Sequence, residues 1–541
     1  MTNRTSILLA TFLLFCTATK AQHDTDGMGA YRYDDATQLW HLTDNAAGLG
    51  IDTTRNRGFA EIGYHHQSGT YHRVQEGSRT NQLRFDTERY QKVGKYLYGY
   101  GRFSFDYGRI ADRVWCDVRR PYHSDPFFPG SAIAGKYDFQ DFRFVAALGT
   151  KAFGHWNFGL RLDYDAGDLS RLRDPRSRSH LLEYKITPAV TYTFGQHTLG
   201  LSANYHRRKE KITNVTTLQT DAIITYYTMS GLENAKGTVS GFSGYQREWV
   251  DHRFGAAVDY AYKTRRYNLL ATAFIERGSE NIYGQYKYEE GKFVDYRYGL
   301  NVSNRLHSGR LLHEIDVSLA YEQAYADEYS MKYNVEHDNN VQTKDYTYTV
   351  RQDDGTLKEE TKTVNKTSDY TSYYYTLLLT FKKRYQVKCF NAEVHYRLNM
   401  LDDRHIKGYV GTRFTAGNAK DSHLLPASSL QYDSYNLSLE GGYGLLGQRL
   451  WVDAEVTRHI NGKADLDLYD ATTDYAQGVL LPDMSYYRAN YWQGRLELTY
   501  QQPLTIKGHR SLWFAKLYGS YLKTNNSLHG QTAGVSIGLY Y

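Results

Sequence analysis

The sequence predicts an all-β chain: a transmembrane antiparallel β-barrel of about 16–18 strands, with short periplasmic turns and long extracellular loops. Three observations predict it. Apolar and polar residues alternate with period two in many separate segments from about residue 58 to the end. The connections between these segments alternate between short and long. After the first two dozen residues no apolar run approaches the ~20 needed for a spanning helix, and mean hydropathy is −0.64.

Composition narrows the class. The 541 residues include 52 tyrosines but only 8 prolines. Tyrosine suits a membrane–water interface, where one end of the ring is apolar and the other wet. An apolar content of 41% and an aromatic content of 15% are too high for a disordered chain. The net charge of +6 is a small excess of 65 basic over 59 acidic residues, so no nucleic-acid partner is expected.

Residues 1–21 read as a signal peptide. Arg4 gives a positive start, residues 7–15 are mostly apolar, and Thr19-Lys20-Ala21 places cleavage before Gln22. Cys116 and Cys389 remain, which make neither a disulfide framework nor a zinc set. Residues 22–57 lack strong alternation and read either as a periplasmic lead or as a small hatch folded into the lumen. The barrel then occupies residues 58–541, with the first strands expected at 58–66 and about 79–90.

The clearest strand is 155–167. Trp156, Phe158, Leu160, Leu162 and Tyr164 fall on a face suited to lipid, while Asn157, Arg161, Asp163 and Asp165 fall on the other. The same alternation carries Leu199, Leu201 and Tyr205, then Phe254, Val258 and Tyr260, and then Phe390, Val394 and Leu398. Pro188 interrupts a strand pattern, and a bulge is expected there. Short turns are expected at 195–197, 263–265, 307–310 and 382–384. Long polar loops are expected at about 109–136, 168–180, 208–250, 278–292, 324–369, 401–431 and 459–486. Within 324–369, Asp354-Gly355 between two Thr-rich runs predicts a projecting β-ribbon.

Three local features carry a resemblance: Asn45-Ala46-Ala47-Gly48-Leu49 before the first strand, Trp115-Cys116-Asp117 leading into Pro121-Tyr122, and Arg173-Asp174-Pro175-Arg176. With the overall layout, they resemble the uncharacterised outer-membrane β-barrel proteins of Bacteroidota. The first feature is also similar to the Asn-Pro-Ala-Gly element of long-chain fatty-acid transporter barrels, with Ala46 in place of the proline. That resemblance implies a bacterial outer-membrane location and a transport role. A TonB-dependent receptor would carry a large plug domain, and only about 36 residues precede the barrel here. The last strand, Ala533, Val535, Ile537, Leu539 and Tyr541, resembles the signal read by the barrel-assembly machinery. That machinery, outer-membrane lipid and lipopolysaccharide are therefore the expected partners.

Candidate site residues fall into three groups. Arg161, Asp163, Asp165, Glu183, Lys185, Glu393, His395, Arg397, Asp453, Glu455, Arg495 and Glu497 carry mixed charge on inward positions. They either line an aqueous path or pair with one another and fill it. Arg173, Asp174 and Arg176 mark the pore mouth, as an anion clamp or as a turn whose arginines meet neighbouring carboxylates. Trp115, Asp117, Phe127 and Phe128 stiffen the first long loop, as a constriction or an external cap. No nucleophile–histidine pair, metal-ligand cluster or phosphate loop stands out, so neither an enzyme nor a cofactor or metal is expected. The expected function is passive or facilitated passage of a small solute. The alternative is a membrane-anchored surface interaction protein whose loops 208–250 and 324–369 bind a partner.

Overall fold

The computed structural model describes residues 27–52, 55–120, 125–218, 224–239, 245–284, 288–506 and 509–541. The signal-peptide reading and Pro121-Tyr122 lie outside them.

Eighteen antiparallel strands form one sheet that closes on itself. The first nine are β1 (Arg57–Gly69), β2 (Arg79–Val93), β3 (Leu97–Arg113), β4 (Gly135–Thr150), β5 (Trp156–Arg171), β6 (Arg176–Phe194), β7 (His197–Thr216), β8 (Tyr245–Lys263) and β9 (Tyr267–Tyr283). The second nine are β10 (Glu289–Ser308), β11 (Leu311–Arg351), β12 (Leu357–Asp402), β13 (His405–Leu424), β14 (Ala427–Leu445), β15 (Leu450–Asp467), β16 (Tyr491–Ile506), β17 (His509–Thr524) and β18 (His529–Tyr540). Closure is made by β18 on β1, from Phe59 opposite Tyr540 to Gly69 opposite Gly530. A closed sheet has no free edge, which a bilayer requires because lipid cannot satisfy backbone polar groups.

The alternation decides which face meets lipid. Phe158, Leu160, Leu201, Phe254 and Leu439 stand exposed on the outside, between 49% and 63% accessible. Their inward neighbours Asn157, Ser202 and Arg253 are buried. Such an apolar belt around a polar interior is the arrangement of an outer-membrane barrel, and the outer membrane is where this chain resides.

The loop pattern departs from expectation in several segments. The segments expected as loops 168–180 and 278–292 are mostly strand: β5 ends at Arg171 and β6 starts at Arg176, and β9 runs to Tyr283 while β10 starts at Glu289. The segment 401–431 holds a turn at 403–404, all of β13, and a second turn at 425–426. Its outward positions are Gly408, Val410, Thr412, Phe414 and Ala416, too weakly apolar to signal a strand. Strand β15 runs on to Asp467, past the start expected for loop 459–486. Lys382, Lys383 and Arg384 form no turn: they sit inside β12, where Lys383 takes φ 52° and the register with β11 shifts between Ala326 and Tyr329. Three adjacent cations read as a turn, but a bulge accommodates them within one strand.

Pro188 also behaves differently. It faces Leu160 in register, and on its other side pairing resumes at Ala189 opposite Ser202 without a shift. The strand keeps its register and loses pairs rather than gaining a residue.

β11 and β12 are 41 and 46 residues long. They run far beyond the barrel as a two-stranded ribbon, whose turn is closed by Gln352 N–H donating to the Thr356 carbonyl at 2.8 Å.

Candidate functional site

Three structures occupy the interior. The first is the N-terminal segment, which forms a floor at the short-turn end. It comprises α1 (Met28–Thr37) and helical turns at Leu39–Leu42, Ala46–Gly48 and Leu49–Asp52. Met28 and Ala36 pack into an apolar cluster with Leu312, Leu401, Ile406, Trp451, Leu512, Phe514 and Tyr540 of the wall. Arg32 binds Asp453 at 2.9 Å and lies over the Trp451 ring at 4.3 Å. Arg305 Nε donates to the Ala36 carbonyl at 2.7 Å, Asn45 Nδ2 donates to Asp259 at 2.8 Å, and Lys185 Nζ holds Asp44 at 2.7 Å. The segment thus touches strands around much of the barrel.

Two facing glycines admit it. Gly149 of β4 pairs directly with Gly159 of β5. A Cβ at Gly159 would lie 2.1 Å from the Ala47 nitrogen, and one at Gly149 would lie 2.4 Å from the Ala46 carbonyl oxygen. No side chain fits between wall and floor there, so the backbone of Ala46-Ala47 rests on the sheet itself. This notch explains why small residues follow Asn45, and sequence reading missed its wall half.

Asp52 makes the floor sensitive to pH. Burial pushes its carboxyl up to about 7, against the pull of Lys263 and the Trp40 N–H that donates to it at 2.9 Å. A folded value above the ordinary 3.8 means that the docked floor holds the extra proton. Docking is therefore strongest below about pH 4 and weakens as pH rises through about 7. Hydrogen exchange across residues 28–52, corrected for intrinsic rates, should be slower at pH 5 than at pH 8. Asp52→Asn should remove the difference.

The second structure is a cap at the long-loop end. Residues Pro129–Gly130 pair with Thr225–Gly231, which pairs in turn with Asn234–Val239, so two loops share a small sheet. Trp115 packs at a tilt against Tyr227 with ring centres 4.6 Å apart and meets the edge of Tyr475 at 5.5 Å. Asp117 is buried and accepts from the hydroxyls of Tyr137 at 2.6 Å and Tyr226 at 2.8 Å, with Arg171 3.7 Å away. Phe127 is buried beside Trp249, whose indole N–H donates to the Phe127 carbonyl at 2.7 Å. Phe128 packs near Tyr475. One apolar cluster joins Cys116, Val118 and Phe127 of the first loop to Ile212, Trp249, Phe293, Ala326, Tyr385, Leu430 and Ala464 of the wall. On the opposite side Tyr71 stacks on Tyr486 at 4.5 Å, and Asp483 accepts the Val74 N–H at 2.7 Å.

The third is a polar chamber of about 520 Å³, lined by Glu61, His65, Gln82, Arg84, Asp86, Gln493, Arg495, Tyr518, Ser520, Thr532 and Ser536 among others. Its position follows from the strands. Below it on the same strands stand Glu88, Gln501, Phe514 and Tyr540, which meet the floor. Above it stand Tyr71, Tyr486 and Tyr491. Its charges are already engaged. Glu61 pairs with Lys516 at 2.7 Å, Asp86 with Arg102 at 2.6 Å, Arg84 with Asp106 at 3.4 Å, and Arg495 with Glu497 at 3.2 Å.

The inward charges named from sequence are distributed among these parts. Arg161 binds Asp163 at 2.8 Å and approaches Asp44 of the floor at 3.6 Å. Arg120 bridges Asp165 at 3.5 Å and Glu183 at 2.9 Å. Glu440 gathers His395 at 2.8 Å and Arg397 at 2.7 Å, and Glu393 lies 3.5 Å from Arg413. Asp453 serves the floor, and Glu455 faces Arg495 across the ladder. At the mouth, Asp174 holds Arg176 at 3.1 Å and accepts the Leu218 N–H at 2.9 Å, while Arg173 is exposed. Of the chamber lining, sequence reading named only Arg495; Glu61, Arg84 and Asp86 lie on strands whose alternation it used only for counting.

The DUF6850 family, a family of unknown function, matches residues 46–541. No curated protein matches the chain. Among solved structures, the copper transporter OprC is 10% identical with a TM-score of 0.38, over 90% of this chain and 81% of that one. The FrpB iron transporter from Neisseria meningitidis (F5-1 variant, apoprotein form) is 9% identical with a TM-score of 0.38, over 92% and 83%. The ferric yersiniabactin uptake receptor FyuA from Yersinia pestis is 9% identical with a TM-score of 0.36, over 90% and 80%.

Proposed function

This chain belongs to the DUF6850 family of unknown function, and we propose that it gives a small, neutral, hydroxyl-rich solute facilitated passage across the outer membrane, through a lumen shut at rest. The polar chamber between floor and cap carries this reading. Its volume lies within the range of ordinary small-molecule sites. The paired charges select the cargo class. An ion entering the chamber would have to compete with Glu61–Lys516 or Asp86–Arg102 for its partner, whereas a neutral polyol can use the lone pairs and protons those pairs leave free. Tyr518, against which the His65 ring stacks with centres 5.9 Å apart, adds an aromatic surface. A hydrophobic cargo would meet the charges of Glu61, Arg84, Asp86 and Arg495 on this wall, so a polar solute is favoured. In this reading the N-terminal segment acts as a hatch, and the loops bearing Trp115 and Asp117 act as the outer gate.

A second reading has its own observation, the ribbon of β11 and β12, which presents exposed Tyr333, Tyr346, Tyr348 and Tyr373 far above the barrel. There the barrel is only an anchor. Proteoliposomes separate the two. With the full chain, uptake of small neutral saccharides should exceed that of salts of similar size, and deletion of residues 330–378 should leave that flux within about twofold, because side chains beyond the barrel rim do not line the path. Absence of selective flux from the correctly folded chain would leave the anchor reading in its place.

A further inference from the structure

We propose that the outer wall of β6, β7 and β8 binds the phosphate groups of an outer-leaflet lipid headgroup. Strand β7 places three cations at successive outward positions, Arg207, Lys209 and Lys211. Across the ladder, Lys211 faces His180 on one side and Glu248 on the other, Lys209 faces Leu182 and Val250, and Arg207 faces Tyr184 and His252. Exposed Arg178 and His180 extend the patch upward around Asp168. Two carboxylates temper it: Glu248 binds Lys209 at 3.0 Å, and Asp168 binds Arg178 at 2.7 Å. Among the described residues, Arg207 and Lys211 have no carboxylate partner, and the Nε of Arg207 is buried without a hydrogen-bond acceptor.

Height identifies the occupant. Directly below on the same strands are the exposed apolar residues Leu199, Leu201, Ile186, Phe254 and Val258. Tyr184 and Tyr205 separate the two zones, with rings 6.2 Å apart. At about 3.3 Å per residue and a tilt near 40°, Arg207 stands about 25 Å above the turn that precedes β7, the height of an outer-membrane apolar belt. A cation cluster there faces headgroups rather than acyl chains or open water. Guanidinium and ammonium groups together match a lipid carrying phosphate, the guanidinium as a planar fork and the ammonium as a point charge. The continuous apolar face below seats the chains of the same molecule.

The test uses the full chain in detergent, titrated with bis-phosphorylated lipid A, with the same lipid stripped of phosphate, and with inorganic phosphate. Lipid A should bind saturably. Arg207→Gln with Lys209→Gln and Lys211→Gln should weaken it by about tenfold or more, and the stripped lipid should bind no better to the wild type than to this variant. Inorganic phosphate should not compete at millimolar concentration. Should the triple variant fail to fold, Lys211→Gln alone is read in the same titration, with a loss of about threefold or more expected. Equal binding of the stripped lipid, or lipid A affinity unchanged by the substitutions, overturns the proposal. Competition by inorganic phosphate at lipid-like affinity overturns it as well, in favour of a free-anion site.

Discussion

Gly159→Val should release the N-terminal floor while leaving the sheet closed. The Cβ alone would stand 2.1 Å from the Ala47 nitrogen, and both partners there are backbone, so nothing flexible can give way. Overpacking of this kind costs about 1–3 kcal/mol where a core can adjust, and here the adjustment available is undocking of the segment. The strand itself tolerates the change, since valine has a higher β-propensity than glycine. Trypsin should then cleave after Arg32, which in the wild type is held by Asp453 and the Trp451 ring. The barrel should keep its heat-resistant mobility on gels. Protection of Arg32 unchanged in the variant would mean that the glycine pair does not seat the floor.

Asp117→Ala should loosen the cap by a comparable or larger amount. The substitution removes the carboxylate shared by the Tyr137 and Tyr226 hydroxyls and by Arg171, whose side chain is fully buried. Removing one member of a buried charge pair typically costs about 3–5 kcal/mol, because the other charge is left unpaired. Cys116 reports the result. It is buried beside Arg113, and burial pushes its thiol above the ordinary range, so it should resist maleimide in the wild type. In the variant it should label rapidly without denaturant. Asp117→Asn keeps the shape but not the charge and should fall between the two.

Much of the barrel was legible in sequence because its signal is periodic. Trp156 to Tyr164 alternates with charge so strictly that only a wall between lipid and a polar interior accounts for it, and Phe59 opposite Tyr540 closes that wall. Strand boundaries were harder. β13 presents glycine and threonine to the outside, and the cations at 382–384 mimic a turn. The site was legible in part. Of the charges marked from sequence, Arg161 pairs with Asp163 and Arg397 with Glu440, and in the first loop Trp115 packs with Met229, Tyr475 and Val479 while Asp117 accepts the Tyr137 and Tyr226 hydroxyls. What could not be read is which strand faces which across the sequence. Gly149 meeting Gly159, and Glu61 meeting Lys516, are contacts that local periodicity cannot encode. The N-terminal segment stayed open between a periplasmic lead and a lumen hatch, because α1 has no strong apolar stripe and is held by wall residues hundreds of positions away.

The proposed solute path is shut by a floor below and a cap above, and single-channel conductance of the full chain in a planar bilayer, set beside the Gly159→Val/Asp117→Ala double variant, reads both closures at once. The wild type should give no steady open steps, and the double variant frequent, ohmic ones. Steady conductance from the wild type, or a folded double variant that stays silent, would contradict that proposal.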